Sequence, residues 1–102
     1  MKSEYKLQRV AFDDILYIEG LKDYVRFFLK SGERVMSLMS MKKLEEYLPQ
    51  PEFLRTHRSY IVHMSEARVI DRLRIIFGDQ YIPISDNYKD AVMRYADEHT
   101  LA

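Results

Sequence analysis

The stretch Phe53-Leu54-Arg55-Thr56-His57-Arg58-Ser59-Tyr60-Ile61-Val62-His63 runs from an aromatic residue, through a polar and basic turn, into a β-branched run. Tyr60-Ile61-Val62 predicts a strand, because aromatic and β-branched side chains fit a pleated, half-buried surface. Arg55, His57, Arg58 and Ser59 crowd donors into five positions, with no carboxylate before Glu66. A strand behind a donor-rich turn is a stiff mount for groups that must reach something anionic. The guanidinium of Arg58 can grip a phosphate, or the acceptor edge of guanine, with two hydrogen bonds. The competing reading is a solvated surface turn with one buried, hydrogen-bonded histidine.

Working outward, the same strand logic recurs on both sides. Leu7 to Val10 reads as a short first strand, and Phe12-Asp13-Asp14 as a turn. Ile15-Leu16-Tyr17-Ile18 is a continuous apolar run, which predicts a strand buried on both faces. Glu19 to Asp23 is a break, with Gly20 able to take a positive φ. Tyr24 to Leu29 alternates, with Val25, Phe27 and Leu29 on one face, so it is a strand. Lys30 to Glu33 turns the chain into a partner strand over Arg34 to Leu38. Ser40 can cap a short helix whose apolar stripe is Met41, Leu44 and Leu48, stopped by Pro49 and Pro51. That stripe reads as core packing.

Downstream, Ala67 to Asp71 and Leu73 to Phe77 read as strands. Gly78-Asp79 is a two-residue hairpin signal, followed by Tyr81-Ile82, with Pro83 at a strand end. Ser85 or Asp86 can cap a final helix with Tyr88, Val92 and Tyr95 on one stripe and Ala91 beside them. The sum is about eight short strands, one short helix and one terminal helix. Without βαβ alternation, the fold class is mainly β and antiparallel, as a sheet or a sandwich.

Composition narrows the function classes. The chain has 102 residues and 47% hydrophobic content, which suits one globular domain. It has no cysteine, which excludes disulfides and thiolate metal sites. No apolar run approaches the ~20 residues that span a bilayer, and the N-terminus carries no apolar signal region, so a cytoplasmic domain is expected. Net charge is zero but segregated. Residues 53–74 carry Arg55, Arg58, Arg68, Arg72 and Arg74 against Glu66 and Asp71. Residues 79–102 carry Lys89 and Arg94 against five acids. A local basic zone can supply phosphate contacts even when the total is neutral.

Catalytic chemistry is not legible. Gly20, Gly32 and Gly78 are far apart and form no phosphate-cradling loop. His57, His63 and His99 lack metal-ligand spacing, and no activated-nucleophile pattern is present. Asp13-Asp14 has turn duty by default. An enzyme is not expected, and neither is a cofactor or a metal. Tyr24 and Tyr60 can stack or donate at a nucleic-acid surface, or simply bury a ring and wet a hydroxyl.

Several segments in order resemble one family. They are Asp14-Ile15-Leu16-Tyr17-Ile18-Glu19-Gly20; Asp23-Tyr24-Val25; Leu44 to Leu48 before a proline; the Phe53 to Val62 run; and Ile82-Pro83-Ile84-Ser85 with Tyr88 beyond it. Together they resemble the LytTR DNA-binding domain of bacterial two-component response regulators, over residues 2–95. The resemblance implies an elongated, multi-sheet antiparallel β domain of about ten short strands in three small sheets, with one or two short helices. It implies sequence-specific binding of double-stranded DNA by loops that enter successive major grooves, with transcription regulation as the output.

It also implies an N-terminal receiver domain in a full-length protein, tandem DNA sites and a possible homodimer. Residues 1–102 would then be the C-terminal DNA-binding part of a longer regulator. The family's three contact loops match Leu21-Lys22-Asp23-Tyr24, His57-Arg58-Ser59 and Ser85-Asp86-Asn87-Tyr88-Lys89. Arg58 would contact a base edge, with Lys22, Ser59 and Lys89 on phosphates and Asn87 on either; His57 could brace its turn from behind. Two positions depart from the pattern. His63 stands where asparagine is frequent, and Asp86 where arginine is frequent. Asp86 can accept from a cytosine amine or cap the last helix, and we read it as a cap. A rival function is a protein-interaction module that docks a partner on exposed strand edges or aromatic surface.

Overall fold

The computed structural model of the chain describes residues 9–99. The elements run β1 (Ile15–Gly20), β2 (Val25–Leu29), β3 (Arg34–Ser37), α1 (Met41–Tyr47), β4 (Phe53–His57), β5 (Tyr60–His63), β6 (Val69–Ile70), β7 (Arg74–Phe77), β8 (Gln80–Pro83) and α2 (Asp86–Glu98). One sheet has the order β3-β2-β1-β5-β4 and the other β6-β7-β8. All pairings are antiparallel. The domain is mainly β and elongated, with extents of 49 × 26 × 24 Å. The described residues carry eight strands in two sheets, short of the count that the family resemblance implies.

Period-two alternation divides the apolar residues between two cores. Ile15, Ile18, Val25, Phe27, Leu29, Phe53 and Ile61 pack with Leu44 and Leu48 from the α1 segment. Tyr17, Leu54 and Val62 pack with Ile75, Ile82 and Ile84 of the second sheet and Val92 of α2. The larger sheet is thus covered on both faces, as the apolar run at residues 15–18 predicts. Strict alternation would put Ile15 and Ile18 on opposite faces. A register shift between Ile15 and Tyr17 brings both to the α1 side.

The α1 segment follows its sequence signals. Ser40 Oγ accepts from the Lys43 amide at 3.1 Å, and Met41, Leu44 and Leu48 pack into the first core. Gly78 takes a φ of 60° in the β7–β8 hairpin, a left-handed angle that glycine adopts without steric cost.

Five local expectations are corrected. Phe53–His57 is a strand, not a polar approach to a turn: Leu54 and Thr56 point inward and alternate with the donors. Leu7 and Gln8 lie outside the described residues, and Arg9 and Val10 belong to no strand. Gly20 has no positive φ; it ends β1 paired with Val25, where a Cβ would meet Met41 Cγ at 2.7 Å. Leu73 is in a turn rather than a strand, because Arg72 and Leu73 both adopt positive φ, at 54° and 60°. Ala91 is exposed, and Ala96 is half-buried instead.

Tyr17 pins the two sheets together, with its ring stacked on Phe28 at 4.4 Å and Phe77 at 5.2 Å. Burial raises its phenol above the ordinary 10.0, with Tyr60 and Glu19 adding to the effect. A phenol raised in the folded state stabilises fully below its unfolded pKa. That stability is lost as pH rises through the folded value, because the unfolded chain releases the proton first. Urea melts should therefore hold up to about pH 10 and then fall, and Tyr17→Phe should flatten that alkaline limb.

Candidate nucleic-acid interface

Backbone hydrogen bonds tie the three sequence-predicted contact segments side by side. The Gly20 amide, at the end of β1, donates to the Ser59 carbonyl at 2.7 Å. That bond joins the β1–β2 loop to the β4–β5 turn. Within the loop, the Leu21 amide donates to the Tyr24 carbonyl at 2.8 Å. On the other flank the Ser85 amide donates to the Thr56 carbonyl at 2.8 Å, which sets the start of α2 against the end of β4. These are short bonds between groups that folding must pair in any case, so the three corners are fixed by the scaffold.

Under the first two corners lies a polar brace. Glu19 accepts from Arg26 Nη1 at 3.3 Å and from the Tyr60 hydroxyl at 3.5 Å. Glu19 immediately precedes Gly20 and Tyr60 immediately follows Ser59, so the network ties the loop's root to the turn's root. Burial, then the charge of Glu19 and its hydrogen bond, raise the Tyr60 phenol above its ordinary value.

Each predicted residue has a definite setting. Lys22, Asp23 and Tyr24 are exposed on the β1–β2 loop. His57 is half-buried, and its Nδ1 accepts from the Ser59 amide at 3.1 Å. That bond needs the neutral ring with its proton on Nε2, so His57 braces the turn and only its far edge is free to reach outward. Arg58 is exposed at the turn. Ser59 is half-buried. Ser85 precedes α2, and its hydroxyl is directed to the Thr56 carbonyl at 3.4 Å. Asn87 and Lys89 are exposed on the first turns of α2 and flank Tyr88, which is half-buried. Two residues along a helix is about 200° of rotation, so Asn87 and Lys89 leave α2 on opposite flanks. Lys22, Arg58 and Lys89 make no ion pair among the described residues.

The two departures are also resolved. Asp86 is not the cap: it is the first residue of α2, after Ser85. There its carboxylate complements the positive end of the helix dipole but caps no amide, and Ser85 makes no side-chain cap either. His63 supplies its own supports. Its Nδ1 bonds the Ile15 carbonyl at 2.8 Å, its Nε2 bonds Ser65 Oγ at 3.1 Å, and its ring stacks on Phe53 at 4.5 Å.

Arg55 has a role that its sequence context did not reveal. It does not spend its donors outward. Nε donates to the His57 carbonyl at 3.2 Å, Nη2 donates to the Arg58 carbonyl, and Nη1 is bonded to Glu45 of α1 at 2.9 Å. The Tyr88 ring lies 6.0 Å from the guanidinium. One planar fork thus joins α1, the β4–β5 turn and the start of α2. No short-range pattern announces this, because Glu45 lies ten residues upstream.

Among the described residues there is no group of three or more metal-binding side chains. No described helix is long and apolar enough to cross a membrane. The arrangement is an antiparallel β scaffold that presents polar corners side by side. The LytTr DNA-binding domain family matches residues 5–97, and the chain belongs to that family. It is also similar in structure to a domain described as the LytTr DNA-binding domain of a methyl-accepting/DNA response regulator from Bacillus cereus. The TM-score is 0.70 at 20% identity, over 86% of this chain and 83% of that one. At that identity the likeness bears on the fold. No curated protein matches the chain in sequence.

Proposed function

We propose that this domain binds duplex DNA sequence-specifically through the β1–β2 loop, the β4–β5 turn and the start of α2, which enter successive major grooves. Its output is transcription regulation as the effector half of a two-component response regulator. The observation that supports this most is the pair of backbone bonds from the Gly20 amide to the Ser59 carbonyl and from the Ser85 amide to the Thr56 carbonyl, which hold three polar corners side by side.

Arg58 is assigned a base edge. Lys22, Ser59 and Lys89 are assigned phosphates that set register, and Asn87 a base edge or a phosphate. Asp23 and Tyr24 complete the first corner. The proposed partners are tandem DNA sites, a second copy on DNA and an N-terminal receiver domain, in a cytoplasmic setting.

One observation favours the rival reading: β3 is an edge strand, and Met36 on it and Leu38 just past it are 51% and 70% exposed. Random-site selection of duplexes, followed by fluorescence anisotropy across a KCl series, separates the two. Groove binding predicts enrichment of one sequence and a log–log salt slope of about −0.9 per neutralised phosphate. A protein-docking module predicts no enriched sequence and no such slope.

A further inference from the structure

The β6–β7 turn lies beside the same row. The Asp71 amide donates to the Arg74 carbonyl at 2.8 Å and the Arg74 amide returns to the Asp71 carbonyl at 3.1 Å, closing a two-residue turn on Arg72 and Leu73. Both central residues sit in the left-handed region, at φ 54° and 60°. Asparagine and glycine favour that conformation, whereas arginine and leucine are strained in it. The Leu73 carbonyl accepts from the Ile84 amide at 2.9 Å, and the next residue, Ser85, is the one bonded to Thr56. Adjacent amides of an extended segment point to opposite sides, so the Arg72 turn and the Thr56 end of β4 flank the Ile84-Ser85 segment that leads into α2. Arg72 is exposed and makes no ion pair among the described residues.

We infer that Arg72 is a fourth contact point, a phosphate clamp that extends the footprint beyond the α2 start. The proposal rests on the duplex-binding reading above and adds a residue outside its three segments. A strained turn held by three backbone bonds fixes where the Arg72 side chain leaves the backbone. Arg72 lies at the end of the row, away from the proposed base reader Arg58, so it adds affinity and register rather than sequence preference.

The test uses the whole chain and a fluorescein-labelled 40-base-pair duplex pool of random sequence, with anisotropy read from 50 to 200 mM KCl. Arg72→Asn removes the cation and supplies a residue better suited to the left-handed turn. It should fold at least as well, with a Tm higher by about 1–4 °C. It should nevertheless bind roughly 5- to 10-fold more weakly at 100 mM KCl, with the salt slope shallower by about 0.9. Arg72→Lys should keep the slope. Arg94→Gln, on the exposed body of α2 about 12 Å of helix from its start, should change neither quantity. If Arg72→Asn keeps the wild-type slope and affinity while Lys22→Ala, which removes a phosphate contact of the first corner, makes the slope shallower by about 0.9, the fourth contact is wrong and the three-corner reading survives. If the wild-type chain binds with no salt dependence, both are wrong.

Discussion

Arg55→Ala should lower the unfolding free energy by about 2–3 kcal/mol and, at temperatures where the variant is still folded, weaken DNA binding more than ~10-fold. The guanidinium bonds the His57 and Arg58 carbonyls and pairs with Glu45. Its side chain is 14% exposed and that of Glu45 is 33% exposed. A fully buried pair that loses one partner costs about 3–5 kcal/mol, and partial exposure reduces that figure. Alanine leaves two carbonyls and a carboxylate without their donor, and it frees the β4–β5 turn from α1. Binding falls because the turn is no longer held, not because a contact to DNA is removed. Arg55→Lys should recover part of the stability, since an ammonium keeps the charge but cannot fork to three acceptors. Urea melts read beside anisotropy titrations check this, and Arg55→Ala melting like wild type would disprove the clamp.

Arg58→Ala should behave in the opposite way. The exposed side chain makes no ion pair among the described residues, and the role of Arg58 in the fold is carried by its backbone carbonyl, which Arg55 holds. Truncation should leave Tm within ~1–2 °C of wild type, as for most exposed positions. Discrimination for the selected site over a random duplex should fall by about 1–3 kcal/mol, or roughly 5- to 150-fold, if the guanidinium makes a bidentate base contact. Loss of preference together with loss of stability would make Arg58 structural. Uniform weakening on all sequences, with a slope shallower by about 0.9, would move it from a base to a phosphate.

The contrast between neighbours three positions apart shows how far the residues could be read. β2 was legible because Val25, Phe27 and Leu29 alternate without interruption. α1 was legible because Ser40 and its apolar stripe agree. β4 was hidden because its outward positions are Arg55 and His57, which look like loop donors until Leu54 and Thr56 are seen to be buried between them. The β6–β7 turn was hidden because it uses Arg72 and Leu73 where asparagine and glycine are the usual signal. The role expected of Asp86 failed for a similar reason. A carboxylate before an amphipathic run marks a helix start, but only the backbone decides whether it is the cap or the first helical residue. Donor density drew attention to His57, Arg58 and Ser59. The resemblance supplied the other two corners, and long-range backbone bonds, which no local pattern encodes, bring the three together.

The most direct measurement of the central claim is a nitrogen–proton NMR titration of the labelled chain with its selected duplex at moderate salt. The amides of Lys22, Tyr24, Arg58, Ser59, Asn87 and Lys89 should shift or broaden together at stoichiometric DNA, while those of β3 and the last turn of α2 stay in place. Perturbations centred on Val35, Met36 and Ser37, with the three corners unmoved, would contradict the account.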